Sequence, residues 1–298
     1  MYWLYLPVMT FLSLLARLPF FVLYRLSDLL FVLTAYVIRY RRRVIVDNLR
    51  HAFPEAPDSR IYELTREFYR NFCDVIVETI KLPRITAEEM QRRVVVINGE
   101  LVRQYLSEGQ TVLGAGAHQC NWEWVPAATL VNGIPVDSVY KPLHNASSER
   151  FMQQIRSTFG AYLVPMNRLP REMVTRRHLP RIIALVADQM PNIPEAAYWT
   201  NFFHRDTPFF PGTERLARSQ QLPVFYLDLS RNRRGYYTAT FSLLAAPPYT
   251  DLPYGEILER YRDRLTETIH KQPANWLWSH KRWKHQREKY AKINTKLE

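Results

Sequence analysis

Only two cysteines occur in the 298 residues, Cys73 and Cys120, far apart and in no Cys-x-x-Cys spacing. Their scarcity argues against a disulfide framework and fits a reducing cytoplasmic environment. His144, His178, His204 and His285 fall into no metal-ligand spacing with a carboxylate, so neither a metal nor a cofactor is expected. After Arg43 there is no internal repeat, low-complexity tract or Gly/Ser linker. The chain carries no zinc-finger, single-strand-binding or helix-turn-helix signature, and nucleic acid is not expected as a partner. Acidic residues are in deficit, 28 against 40 Lys and Arg, for a net charge of +12. That balance points to an anionic partner such as a phospholipid surface, a phosphorylated substrate or an acidic protein.

Charge is absent from Tyr2 to Ala16, "YWLYLPVMTFLSLLA", and Leu18 to Ile38 is apolar except for Arg25 and Asp28. A secretory signal would show a basic start and a small-residue cleavage site, and neither is evident. The first run is short for the roughly 20 residues of a spanning helix, whereas the second is long enough. Two charges in mid-bilayer would cost about 2.5–3.5 kcal/mol each unless paired. Arg25 and Asp28, three apart, can pair on a helix. The expectation is a membrane anchor over residues 1–38, as one short span or as one or two helices lying in the interface. The alternative is a hairpin of core helices. The cluster "RYRRR", Arg39 to Arg43, predicts the cytoplasmic side for the remainder, 39–298, which reads as a single domain.

Helical spacing of Ile61, Leu64, Phe68, Phe72, Val75, Ile76 and Ile80 predicts a long helix. Strands then alternate with helices: "RVVVI", "TVLGAGA", "IPVDSVY", "AYLVPM" and "RIIALVAD" as strands, with helical segments of seven to sixteen residues between them. "PVFYLDLSR" and "GYYTATFSL" read as an antiparallel pair through the basic turn "NRRG". The fold class is therefore α/β, a mostly parallel central sheet flanked by helices, with the hydrophobic helical segment in front. Ligands in such sheets bind at the carboxyl ends of strands, where His118 and Asp188 both fall.

"AHQCNWEW" places His118 five residues before Glu123. Pro126 keeps regular helix from extending far before it, which leaves "HQCNW" as a turn in which the two side chains can converge. A carboxylate on one imidazole nitrogen sets the tautomer and steadies the cation formed when the other nitrogen takes a proton. The bland alternative is a strand-end histidine and an ordinary first-turn acid. Cys120, within the same turn, is a rival nucleophile, although a small buried cysteine is common. Trp122 and Trp124 flank Glu123 and suit packing or exclusion of water. In the terminal "WLWSHKRWKHQREK", alternating tryptophans and cations suggest either a solvated amphipathic helix or a contact with anionic lipid.

"AHQCNWEW" resembles the His-x4-acid motif of the lipid A late acyltransferases (lauroyl/myristoyl type), within the lysophospholipid acyltransferase superfamily. The likeness continues in "VYKPLHNASSERFMQQIRSTFG", in "DQMPNIPEAAYWTNFFHRDTPFFPGTERLAR" and in "WLWSHKRWK". It implies a His118–Glu123 dyad that moves a fatty acyl chain from acyl carrier protein to a hydroxyl of a phosphorylated lipid A precursor at the bacterial inner membrane. Arg156, in a mostly apolar helix, either snorkels or, as its place in the family-like Arg-x-x-x-Gly pattern implies, contacts a phosphate or carboxylate. Lys141 reads as a phosphate or pantetheine contact or as a solvated loop lysine, and Asp188 as a loop-start cap or as an acid positioning Arg156 or the acceptor headgroup; Glu214 and Arg215 are candidates for the acceptor side. "PFFPGTERLA" departs from the related Pro-x-Gly-Thr-Arg motif, since glutamate follows threonine and arginine comes one later. The same chemistry on a glycerolipid or an amino-acid lipid is the nearest alternative, and a non-catalytic membrane-bound lipid carrier is the alternative of another class.

Overall fold

The computed structural model describes residues 2–191 and 193–290, without the side chains of residues 2–6 and 8. Two apolar helices open the chain, α1 (Tyr2–Leu15) and α2 (Phe20–Val32), and a π-helical turn, Leu33–Val37, prolongs the second. The amphipathic helices α3 (Arg42–Ala52) and α4 (Asp58–Lys81) follow, and then a short α5 (Ala87–Arg93). From there the alternation takes over: β1 (Val94–Ile97), α6 (Gly99–Ser107), β2 (Val112–Gly116), α7 (Val125–Val131), β3 (Val136–Tyr140), α8 (Ala146–Arg156), β4 (Tyr162–Pro165), α9 (Leu169–Thr175) and β5 (Ile182–Val186). An antiparallel hairpin of β6 (Tyr198–Phe202) and β7 (Arg205–Phe209) intervenes before α10 (Gly212–Gln220), β8 (Val224–Arg233), β9 (Tyr236–Ala245) and α11 (Glu256–Lys271).

Seven strands form one sheet in the order β1-β9-β8-β2-β5-β3-β4. The last five of that order run parallel, while β9 and β1 pair with each other in parallel and run against β8. The sheet is therefore mostly parallel, as the alternation predicts. Its central strand β2 is an almost wholly buried apolar run, as a strand covered on both faces should be. Gly114 serves that packing, because a Cβ there would meet Ile182 Cγ2 at 2.8 Å.

Helix α4 buries Ile61, Leu64, Phe68 and Tyr69 at helical spacing, and its second half also buries Asp74, Glu78 and Lys81. These three polar groups form a stripe facing α2. Ser27 Oγ donates to Asp74 at 2.6 Å, Tyr24 Oη to Glu78 at 2.9 Å, and Lys81 Nζ to the carbonyls of Ala16 and Leu18. The anticipated Arg25–Asp28 pair does not form. Asp28 instead accepts from Arg234 Nη2, 2.8 Å away in the β8–β9 turn, because Arg25 points outward from the docked side. Residues Phe20–Val37 are long and apolar enough to cross a membrane.

The C-terminal segment also departs from its expected place. Trp276, Trp278 and Arg282 are fully buried, and "NWLW" lies against the end of β2 instead of presenting its tryptophans to solvent or lipid. Enough apolar surface surrounds these rings, from Phe202, Phe203 and Phe53, to outweigh exposure at an interface.

Candidate active site

Strands β2 and β5 are neighbours, and their register aligns Gly116 with Val186. Two residues further on each strand stand His118 and Asp188, so the parallel register itself brings them side by side. His118 Nδ1 lies 2.7 Å from Asp188 Oδ1, and the His118 amide donates to Oδ2 at 3.0 Å. Trp276 Nε1 donates to the same Oδ2 at 2.7 Å. Burial alone would push the Asp188 carboxyl up, but the His118 ring and the three donors outweigh it and hold the group below its ordinary range. With a carboxylate fixed on Nδ1, the neutral ring keeps its proton there, and Nε2 is the nitrogen free to accept another.

The carboxylate expected on this ring was Glu123, and the structure corrects that pairing. Glu123 is engaged by Arg156 in a two-point ion pair, Nε to Oε2 at 2.8 Å and Nη2 to Oε1 at 2.6 Å. Asp188, in turn, holds His118 and not Arg156. Trp122 stands between the two pairs, its ring edge-on to His118 with centroids 5.3 Å apart and its Nε1 donating to Glu123 Oε1 at 3.2 Å. The site is thus a row: Asp188, His118, Trp122, Glu123, Arg156. Arg156 comes from the last turn of α8, whose start Asn145 caps by accepting from the amides of Ser147 and Ser148. Its guanidinium also approaches the Tyr140 ring, 6.0 Å away, on the carboxyl end of β3.

The turn from Gln119 to Asn121 is held from three directions. The Cys120 amide donates to Asn275 O, the Leu277 amide donates to His118 O, and Asn121 Nδ2 donates to Glu78 Oε2 at 2.7 Å. Trp124 Nε1 reaches the Glu78 carbonyl at 3.0 Å, and Tyr237 Oη donates to Oε2 at 2.7 Å. Burial pushes the Glu78 carboxyl up from its ordinary value, though the donors from Tyr237 and Asn121 oppose it. Cys120 takes a positive φ in this turn and is buried, and burial drives its thiol well above its ordinary range. Its Sγ points at Leu229 O, 3.2 Å away. A thiolate nucleophile has no support there.

Of the remaining predicted contacts, Lys141 is exposed on the loop between β3 and α8, directly after Tyr140. Glu214 is fully buried and caps the start of α11, accepting from the amides of Gly255 and Leu258 and from Arg218 Nε. Its acceptor capacity is spent on the fold, and Arg215 points to solvent from α10. Among the described residues, no hydrogen bond joins Glu214 or Arg215 to the row. Glu78 and Asn121 went unmarked in the sequence, and Trp276 stood out only as part of the tryptophan-rich terminal stretch. The matched two-residue overhang of His118 and Asp188 was the available signal for the true pairing, since it follows once β2 and β5 are taken as adjacent.

No group of three or more His, Cys, Asp or Glu suited to a metal occurs among the described residues. The row is chemically an acid–base device, a histidine with one nitrogen held and one free, beside a fixed cation. It stands at the carboxyl ends of parallel strands, as expected for an α/β enzyme. The chain belongs to the bacterial lipid A biosynthesis acyltransferase family, whose model matches residues 1–285. It is accordingly an acyltransferase of lipid A biosynthesis. No curated protein matches the chain individually.

Proposed function

We propose that this acyltransferase moves a fatty acyl chain from an acyl carrier protein thioester to a hydroxyl of a phosphorylated lipid A precursor, at the cytoplasmic face of the inner membrane. His118 is the general base. Its Nε2 takes the proton of the acceptor hydroxyl as the oxygen attacks the thioester carbonyl, and the tetrahedral intermediate then expels the thiolate, which recovers that proton. Asp188 holds the tautomer and stabilises the imidazolium. The observation that carries this reading is the 2.7 Å contact between His118 Nδ1 and Asp188 Oδ1, with the ring only part-buried.

Glu123 has a second task in this scheme, which is to fix Arg156 by two parallel hydrogen bonds. The guanidinium retains N–H groups beyond the two it gives to Glu123. The amides of His118, Gln119 and Cys120 are all committed elsewhere. Arg156 is therefore the fixed cation that this row offers to a developing oxyanion or an acceptor phosphate. The net charge of +12 suits both an acidic carrier protein and an anionic leaflet.

The test is acyl transfer from an acyl-carrier-protein thioester to a purified lipid A precursor, with the product identified by mass. His118→Ala should lose at least ~1,000-fold in rate, while Cys120→Ala should retain activity close to that of the unaltered chain. Full turnover by His118→Ala would contradict the proposed base, and absence of transfer by the unaltered chain would leave a lipid carrier as the better account. Acylation of a glycerolipid or an amino-acid lipid in place of the lipid A precursor would keep the mechanism and change the acceptor.

A further inference from the structure

The second helix carries two unlike sides. At about 100° per residue, Phe21, Arg25, Leu29, Val32 and Tyr36 share one side of α2 and its π-helical continuation, and all five are exposed, Phe21 at 72% and Leu29 at 67%. The opposite side is docked on the domain along its whole length. Phe20 packs on Trp124 and beneath the Arg93 guanidinium, Tyr24 donates to Glu78, Ser27 donates to Asp74, and Thr34 Oγ1 lies 3.4 Å from Cys73 Sγ. Arg234 reaches the same helix midway, through Asp28 Oδ1 and the Tyr24 carbonyl.

We infer that α2 lies in the plane of the membrane, its outward side sunk into one leaflet of an anionic phospholipid bilayer, and that it does not cross. This rests on the membrane reading above and specifies its geometry. A crossing helix would carry its docked partners to the same depth. Asp74, Glu78, Arg231 and Arg234 would then enter the hydrocarbon, where the surrounding water that such charges require is missing. Arg25 would stand at mid-bilayer on the lipid-facing side. In the interfacial orientation Arg25 instead extends along the apolar surface to the headgroups. Exposed Arg17 precedes the helix, and exposed Arg39, Arg41 and Arg43 follow it, so cations border the apolar side at both ends where lipid phosphates would lie. The catalytic turn hangs on the same helix, since Tyr24 and Asn121 share the Glu78 carboxylate. The active site is thereby held at a fixed height above the leaflet that supplies its lipid.

The experiment uses the full chain with a single added cysteine at Phe21, Leu29 or Tyr36, the two native cysteines being buried and the unsubstituted chain serving as the labelling control. Each variant is spin-labelled and bound to vesicles of phosphatidylethanolamine and phosphatidylglycerol, and label depth is measured by power saturation with oxygen and a water-soluble nickel complex. The inference predicts one common depth, ~5–10 Å below the phosphates, at all three positions. A label at 29 near the bilayer centre, ~10 Å or more deeper than those at 21 and 36, would overturn it in favour of a crossing helix. Three water-exposed labels on bound protein would overturn it as well, by assigning binding to another surface. Failure of the chain to bind vesicles at all is a separate result, and it would remove the membrane reading together with this one.

Discussion

His118 and Asp188 each stand two residues past the aligned pair Gly116 and Val186 on adjacent parallel strands, and their side chains meet at 2.7 Å. The pairing is a property of the sheet. Local spacing points elsewhere, to Glu123, five residues along the chain, but that carboxylate is drawn away by Arg156 from α8, thirty-three residues distant. A charge-assisted two-point pair with a guanidinium fixes Glu123 more firmly than a single imidazole contact would.

Replacing Arg156 with lysine keeps the charge and removes the fork. A single ammonium cannot satisfy both Glu123 oxygens and still present donors to a substrate. Arg156→Lys should lower kcat/KM by about 10- to 100-fold, and steady-state kinetics with the thioester donor checks this. Unchanged kinetics would place the pair outside the reaction.

Glu78 is predicted to position the catalytic turn without touching substrate. Glu78→Ala strands the donors of Asn121, Tyr237 and Tyr24 and should cost about 2–4 kcal/mol in unfolding free energy, with a matching loss of kcat. Glu78→Gln should be much milder, because its amide nitrogen can face Tyr24, whose hydroxyl is able to accept. Denaturant unfolding and kcat measured on both variants separate the two cases, and equal damage from both would contradict the account.

Glu214 offers a contrast. As the cap of α11, it should affect stability and not chemistry: Glu214→Ala takes the carboxylate from Arg218 Nε and from two helix-start amides, and leaves Arg218 only its carbonyl partners Tyr249 and Pro253, at a cost of about 3 kcal/mol, while activity per folded molecule stays near that of the parent. A rise in KM for the lipid acceptor without loss of stability would restore the acceptor role that the motif suggested.

His280 supplies a pH dependence. Burial lowers its pKa from the ordinary 6.5 to about 4, with Asp188 opposing and Arg282, His118 and Arg41 adding to the depression. A folded-state pKa below the unfolded one means that the unfolded chain binds more protons between those values, so stability falls as pH drops from 6.5 toward 4. The part assignable to His280 at pH 5 is on the order of 1–2 kcal/mol. His280→Asn should show a correspondingly smaller difference between pH 7 and pH 5 in denaturant unfolding; an identical difference in both chains would contradict it.

Much of the fold was legible in the sequence because its signals are periodic. The alternation from "RVVVI" to "RIIALVAD" and the "NRRG" hairpin reappear as β1 to β5 and as β8 and β9. The hairpin of β6 and β7 was not legible. Its turn sets Phe203 and His204 at positive φ, where a reader of sequence looks for glycine or asparagine. The C-terminal tryptophans misled for another reason: interleaved with cations they resemble an interfacial belt, and only the aromatic cluster around Phe202 and Phe53 makes them core. At the site, the residue types were readable and their partners were not, because each partner arrives from a distant strand or helix.

The most direct test of the central pairing is the turnover of Asp188→Asn with the acyl-carrier-protein thioester. An amide in this place cannot hold the Nδ1–H tautomer or steady the imidazolium, so kcat should fall by about 1,000- to 10,000-fold with little change in KM. Turnover within a few-fold of the parent would contradict the account and return the orienting role to Glu123.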